Sequence, residues 1–403
     1  MRSTTSLVTR LSDISIRRIE VDAARMQHTL EGVLGVPFTA GNRLQALRNG
    51  IEYFPAMLKA IRNARYSIEF ITCVYWEGDI ADIFAEALAE RARAGVRVRA
   101  LLDRVGSRPM GREWFALMEE AGVEVAQFRP LTWKRWRTTH RIRRKILICD
   151  GALAFTGGLG IAQKRMGDTR TPDEWRDTHF RIEGPAVSGL RAAFIGNWLG
   201  DERPWSVVDE FIPPVGQPGV SLVQTIRSLG NPGWCDVATA VRTALDLARH
   251  TVRITAAYFN PDPATRELLA AAVARGVRVQ ILTPGEYSDS RVLRIAGDRV
   301  VGELLDAGVE IARYGPTMLH TQCIIIDGLL SIIGSANFNQ RSMRLDDEIA
   351  AVVIDPLLAA RLDQHFDRDL RDSTPLDPER WRMRPLWRRT LEWLSGLSRW
   401  RRV

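Results

Sequence analysis

Apolar residues recur along this chain in two rhythms. Short dense runs such as "SIEFITCVYW" (67–76) and "VRITAAYF" (252–259) are rich in β-branched and aromatic residues and predict strands, while "VRVRALLD" (96–103) alternates as a strand does. Between them, "ADIFAEALAERARAG" (81–95) carries apolar residues at helical spacing and stops on glycine, and "PATRELLAAAVARG" (263–276) does so after a proline start. The order strand, helix, strand, helix, strand occurs twice. It predicts α/β layers around a central, largely parallel or mixed sheet.

The two occurrences are also alike in sequence. "ARYSIEFIT" (64–72) corresponds to "ARHTVRITA" (248–256), and "RARAGVRVRALLD" (91–103) to "AVARGVRVQILTP" (272–284). "AGVEVAQF" (121–128) corresponds to "AGVEIARY" (307–314), and "RRKILICDGALAFTGGLG" (143–160) aligns without a gap on "HTQCIIIDGLLSIIGSAN" (320–337). Four blocks in one order mark a duplicated domain. The proline- and glycine-rich "FIPPVGQPGV" (211–220) is the natural linker. The expected organisation is a helical or irregular segment over 1–34, a first domain over 35–210, the linker 211–220, a second domain over 221–375 and a basic tail over 376–403.

Composition narrows the class. The chain of 403 residues is 45% apolar and 26% charged, which suits a large globular protein of two domains. Cys73, Cys149, Cys235 and Cys323 lack metal-type spacing, and three of them lie in apolar strand-like runs as reduced, buried thiols do. The histidines are widely spaced, so neither a metal nor another cofactor is expected. No run approaches the roughly 18 apolar residues of a membrane span, and the first residues carry charges where a signal peptide needs an apolar core. The net charge of +8 is concentrated. Residues 380–403 hold eight arginines and one glutamate, and "WKRWRTTHRIRRK" (133–145) is a second basic block with interleaved tryptophan. Such blocks favour polyanionic surfaces. Trp133 and Trp136 suggest an interfacial lid, a plain surface loop being the alternative. Trp393 and Trp400, with Leu386, Leu394 and Leu397, fall on one side of a helix suited to membrane contact, although a helix packed on its own domain would look the same.

The candidate chemistry sits in the aligned blocks. On a strand, residues two apart share a face, so His320 and Gln322 point one way and Asp327 the other. Gly334, Ser335 and Asn337 follow in a turn. Imidazole, hydroxyl and amide converging in one place make an oxyanion or phosphate site. This arrangement resembles the HKD motif of the phospholipase D superfamily: His-x-Lys, four residues, Asp, then Gly-Ser or Gly-Gly and Asn. More narrowly, "GVPFTAGNRLQALRNGIEYFPAML" (35–58), "LLDRVGSR" (101–108), "WRDTHFRIEGPAV" (175–187), "YFNPD" (258–262) and "GSANFNQRSMRLDDE" (334–348) resemble the bacterial cardiolipin synthase branch.

The resemblance implies two duplicated phospholipase D-like domains, each a central mixed β-sheet flanked by helices, packed as a pseudo-two-fold bilobal unit. It also implies a metal-free phosphatidyltransferase that joins two phosphatidylglycerols and releases glycerol. One histidine attacks phosphorus and a second protonates the leaving alkoxide, then activates the acceptor. Carried over by position, His320, Lys145, Ser335 and Asn337 fall at the reacting phosphate, and Asp177 and Glu348 match the carboxylates that orient the histidines. Arg143, Gly158 and Gln322 would meet substrate phosphate, and Asp150 and Asp327 are motif aspartates with turn or structural roles.

The chain departs from the pattern in both halves. Arg143 stands where the first histidine belongs, Gly160 where asparagine does, and Gln322 where the second lysine does. Arginine grips phosphate bidentately but stays protonated, so it replaces neither base nor nucleophile. With Arg143 in place, Asp177 could pair with it. His140 reaches the site only through a bulge, by strand parity, and His179 reads as a strand residue beside Asp177. Two readings stay open: an enzyme with activity reduced by Arg143 and Gln322, and an inactive relative that binds anionic phospholipid or an active paralogous synthase. A nuclease shares the fold, but the lipid-branch segments argue against nucleic acid. The expected partner is an anionic phospholipid surface, and the expected place is the cytoplasmic face of a bacterial inner membrane, peripherally bound.

Overall fold

A computed structural model describes residues 19–128, 142–158, 160–200, 203–206, 213–228, 235–288, 291–339, 342–343 and 346–385. After a helix over 19–34 (α1), the first half runs β1 (Thr39–Arg48), α2 (Gly50–Asn63), β2 (Ser67–Thr72), α3 (Asp79–Arg93), β3 (Arg97–Asp103), α4 (Arg112–Glu120) and β4 (Glu124–Phe128). It continues with β5 (Ile146–Cys149), β6 (Leu153–Gly157), β7 (Thr178–Glu183) and α5 (Val187–Gly200). The second half runs β8 (Ser221–Ser228), α6 (Asp236–Leu247), β9 (Thr251–Ala256), α7 (Pro263–Ala274), β10 (Arg278–Pro284), α8 (Arg291–Asp306) and β11 (Glu310–Tyr314). β12 (Gln322–Ile326), β13 (Leu330–Gly334), β14 (Glu348–Ile354), α9 (Pro356–Arg371), β15 (Ser373–Pro375) and α10 (Pro378–Arg382) complete it.

The fifteen strands among the described residues form one sheet in the order β15-β11-β10-β9-β12-β13-β14-β8-β1-β7-β6-β5-β2-β3-β4. Outward from the β8–β1 junction, equivalent strands follow one another in the same sequence in both halves. Each half is mixed: β2, β3 and β4 are parallel, as are β9, β10 and β11, and the rest pair antiparallel. The α/β duplication read from the sequence is therefore the architecture, with a pseudo-two-fold axis at the junction.

The sheet's two faces are covered differently. α2, α3 and α4 bury one apolar cluster on the first half, and α1 with α6, α7 and α8 buries another on the second. On the other face α5 and α9 cover a single cluster to which both halves contribute, including Ile71, Phe180, Cys323 and Val353. Apolar burial at about 25 cal/mol per Å² drives such a shared core, and it fixes the halves to each other. Cys73, Cys149 and Cys323 are buried free thiols, and Cys235 is half-buried. No helix among the described residues is long and apolar enough to cross a membrane.

The motif aspartates explain the two hairpins that carry the site. Asp150 and Asp327 have φ of 54° and 53°, followed by Gly151 and Gly328 at 62° and 61°. These left-handed Asp-Gly pairs open three-residue hairpin connections, with Cys149 paired to Leu153 and Ile326 to Leu330. Each carboxylate then accepts three backbone N–H groups from the neighbouring strand's start: Arg65, Tyr66 and Ser67 for Asp150, and Arg249, His250 and Thr251 for Asp327. These side chains hold the hairpin in register and leave the site to others.

Candidate active site

Two isolated bridges join the halves, and each is the repeat image of the other. Arg176 pairs with Leu319, and Ile142 with Asp347. Through them the His320 N–H donates to the Arg176 carbonyl at 2.7 Å, and the Arg143 N–H to the Asp347 carbonyl at 3.0 Å. Each motif position is thus built against the other half's strand. The residue after each bridge, Asp177 or Glu348, presents its carboxylate there.

At the first of these places an imidazole and a carboxylate meet. His320 Nδ1 lies 2.9 Å from Asp177 Oδ2, and both side chains are buried. A carboxylate only accepts, so Nδ1 carries the proton and Nε2 is left with its lone pair. The Thr178 N–H donates to the other Asp177 oxygen at 2.6 Å. Trp175 stacks on the imidazole with ring centres 5.3 Å apart, and Tyr258 meets it edge-on at 6.1 Å. Burial lowers the His320 pKa from its ordinary value; the Asp177 carboxylate opposes this, and Arg165 and Lys145 reinforce it. Gly158 allows the close approach: a Cβ there would sit 2.8 Å from Asp177 Oδ2 and 2.9 Å from the His320 carbonyl oxygen.

At the repeat-related place Arg143 replaces the imidazole. Its Nε donates to Asp346 Oδ2 at 3.2 Å, with the arginine side chain 29% exposed and the aspartate 1%. Burial works against the charge, but Asp346, Cys73 and Glu348 outweigh it, so the pKa is raised. The expected Arg143–Asp177 pair does not form. Strand parity says which face a side chain takes but not which half supplies its partner, and the bridges give Asp177 to His320. Glu348 instead accepts from the Ser335 hydroxyl at 2.5 Å on Oε2. Its pKa is raised to about 7, chiefly by burial, against the pull of Lys145.

Lys145 is buried within electrostatic reach of both His320 and Glu348. Its side chain makes no hydrogen bond among the described residues. The equivalent Gln322 pairs its amide with that of Asn337. Lys145 and Gln322 line two repeat-related cavities, the former with Thr72, Ile161 and His179, the latter with Ala256, Phe338 and Gly334. His179 is a strand residue, as expected, kept neutral by burial that lowers its pKa to about 4. Gly160 is forced: a Cβ would lie 2.4 Å from the Val74 carbonyl oxygen, so backbone fills the space of an asparagine side chain. His140, Trp133, Trp136, Trp393 and Trp400 lie outside the described residues.

Sequence reasoning assigned no role to Trp175, Tyr258, Asp346 or the buried network behind the dyad. Arg176 makes a two-oxygen pair with Asp369 of α9 at 2.8–3.0 Å, and Arg48 shares that carboxylate at 3.1 Å. The available signal was "WRD" itself, an aromatic residue and two opposite charges placed directly before an apolar strand.

Comparison with known proteins gives the family. The family model described as "Cardiolipin synthase, PLD-like domain" matches residues 57–184 and 241–370, once in each half. The chain belongs to this family. It is 33% identical over 372 residues to cardiolipin synthase A of Yersinia pseudotuberculosis, covering 90% of this chain and 75% of that one. With cardiolipin synthase 1 of Bacillus cereus it shares 30% identity over 368 residues, covering 89% and 72%. Among solved structures, phosphatidylserine synthase of Haemophilus influenzae superposes with a TM-score of 0.70 at 14% identity, covering 93% of this chain and 97% of that one, a likeness of fold. Within the phospholipase D superfamily the chain therefore falls in the cardiolipin synthase branch.

Proposed function

We propose that this chain is a phosphatidyltransferase of the cardiolipin synthase type, working on phosphatidylglycerol-type phosphodiesters at the cytoplasmic face of a bacterial inner membrane. The observation that carries the reading is the His320–Asp177 dyad, built from both halves, with the Lys145 ammonium beside it. His320 Nε2 attacks phosphorus, and the bond to the leaving glycerol oxygen breaks. The proton on Nδ1 stays against Asp177, which stabilises the imidazolium formed. Lys145 and Arg143 hold the non-bridging oxygens and offset developing charge. A second alcohol then displaces His320 from phosphorus. Names of the relatives support the substrate class, and the Ser335 and Asn337 turn bounds the site on the second half.

Expression in cells lacking their own cardiolipin synthases tests this. Cardiolipin should accumulate with the chain and disappear with His320→Asn. If the chain makes none while an Arg143→His/Gln322→Lys double variant does, the chain is a binding relative that has lost its chemistry.

A further inference from the structure

The leaving oxygen needs a proton, and the position equivalent to His320 holds an arginine. We propose that the Glu348 carboxyl is the proton donor and acceptor of this site, in the role the absent imidazole leaves open. The inference rests on the phosphatidyltransferase reading and assigns its missing acid and base.

Position is the first ground. Glu348 is the repeat image of Asp177, whose carboxylate touches the reacting imidazole directly. Among the described residues no imidazole meets it there, and Arg143 turns to Asp346 rather than to Glu348. Satisfaction is the second. Glu348 is wholly buried; Oε2 accepts from Ser335, and Oε1 has no hydrogen-bond partner among the described residues. Burying an unpaired anionic oxygen is unfavourable, so the protonated carboxyl is favoured. The charged groups facing it are Lys145 and Arg143 from the segment before β5, with Asp346 beside it in sequence. Arg144 donates to its backbone carbonyl at 3.1 Å, and Asp347 is occupied by Asn197 at 2.8 Å. The opposing charges leave burial in control and the pKa near about 7, where a carboxyl gives and takes protons readily. Arg143 is the more exposed of the two cations, its side chain 29% accessible beside the buried Lys145.

The steps balance. As the His320 Nε2–phosphorus bond forms and the phosphorus–glycerol oxygen bond breaks, the Glu348 proton passes to the leaving oxygen. The carboxylate then takes the proton of the acceptor hydroxyl while that oxygen bonds to phosphorus and the nitrogen–phosphorus bond breaks. Both residues return to their starting states.

Purified full chain in mixed micelles is assayed on two substrates: phosphatidylglycerol, and a phosphatidyl p-nitrophenyl ester whose phenolate leaves without a proton. Glu348→Gln should slow glycerol release by about 10²–10⁴-fold while the first-turnover burst of p-nitrophenol, which precedes any need for a base, changes by only a few-fold. Retained release of the phenolate also shows that the variant folds. For the unaltered chain, kcat/KM on phosphatidylglycerol should fall as pH rises above about 7, a limb absent with the aryl ester. Glycerol release by Glu348→Gln at the unaltered rate, or equal loss on both substrates, overturns the inference alone. An unaltered chain that releases neither product overturns the underlying transferase reading and this assignment with it.

Discussion

In the proposed mechanism His320 and Asp177 act as one unit, in which the carboxylate fixes the Nδ1 proton and Nε2 is thereby aimed and made basic. Asp177→Asn keeps the shape but can hold the other tautomer, so turnover should fall by about 10²–10⁴-fold in a steady-state assay, with little change in fold. Glu348 gives a stability prediction of definite sign. Its folded pKa of about 7 lies above the ordinary 4.5, so it favours folding at low pH, and that contribution is lost as pH rises from about 4.5 through about 7. At about 1.4 kcal/mol per pH unit, Glu348→Gln should be more stable than the unaltered chain by about 3 kcal/mol at pH 8 and not at pH 4, by urea unfolding. His179 works in the opposite sense: lowered to about 4, it contributes stability above pH 6.5 that is lost on acidification, so the two trends offset in the unaltered chain. At this scale the sequence already showed His320, Lys145, Ser335 and Asn337 as a set. It did not show that Arg143 would turn to Asp346, because three acidic residues in a row at 346–348 offer no periodicity to choose among them.

Among the elements, the two bridge strands matter most, since they bring Arg176–Asp177 to Leu319–His320. Behind them Asp369 satisfies Arg176 and Arg48 in the interior. Asp369→Ala leaves buried guanidinium charge unpaired and should cost about 3–5 kcal/mol, read from the urea midpoint, with activity falling in parallel. Gly160→Asn, which would restore a motif residue, should instead destabilise by about 1–3 kcal/mol, because the Val74 carbonyl occupies the space. The hairpins were legible in advance as Asp-Gly between apolar runs, and so were the helices by their glycine stops. The bridges were not: a two-residue contact between distant segments leaves no rhythm in the chain.

For the molecule as a whole, duplication was plain from four aligned blocks. The continuous sheet across the β8–β1 junction and the shared core beneath α5 and α9 were beyond reach of pattern, since both depend on how the copies meet. The basic tryptophan-bearing tail should add surface affinity: full chain ought to sediment with phosphatidylglycerol vesicles more than with neutral ones, and deletion of 386–403 should weaken this. The proposed chemistry stands or falls on one phosphodiester being held between the halves and attacked by His320. Single turnover with phosphatidylglycerol labelled in the phosphate, followed by mapping of the label on the denatured chain, probes that step without intermediaries. Label is expected on His320, absent in His320→Asn and reduced in Lys145→Ala; turnover without any label on His320, or undiminished in His320→Asn, would contradict it.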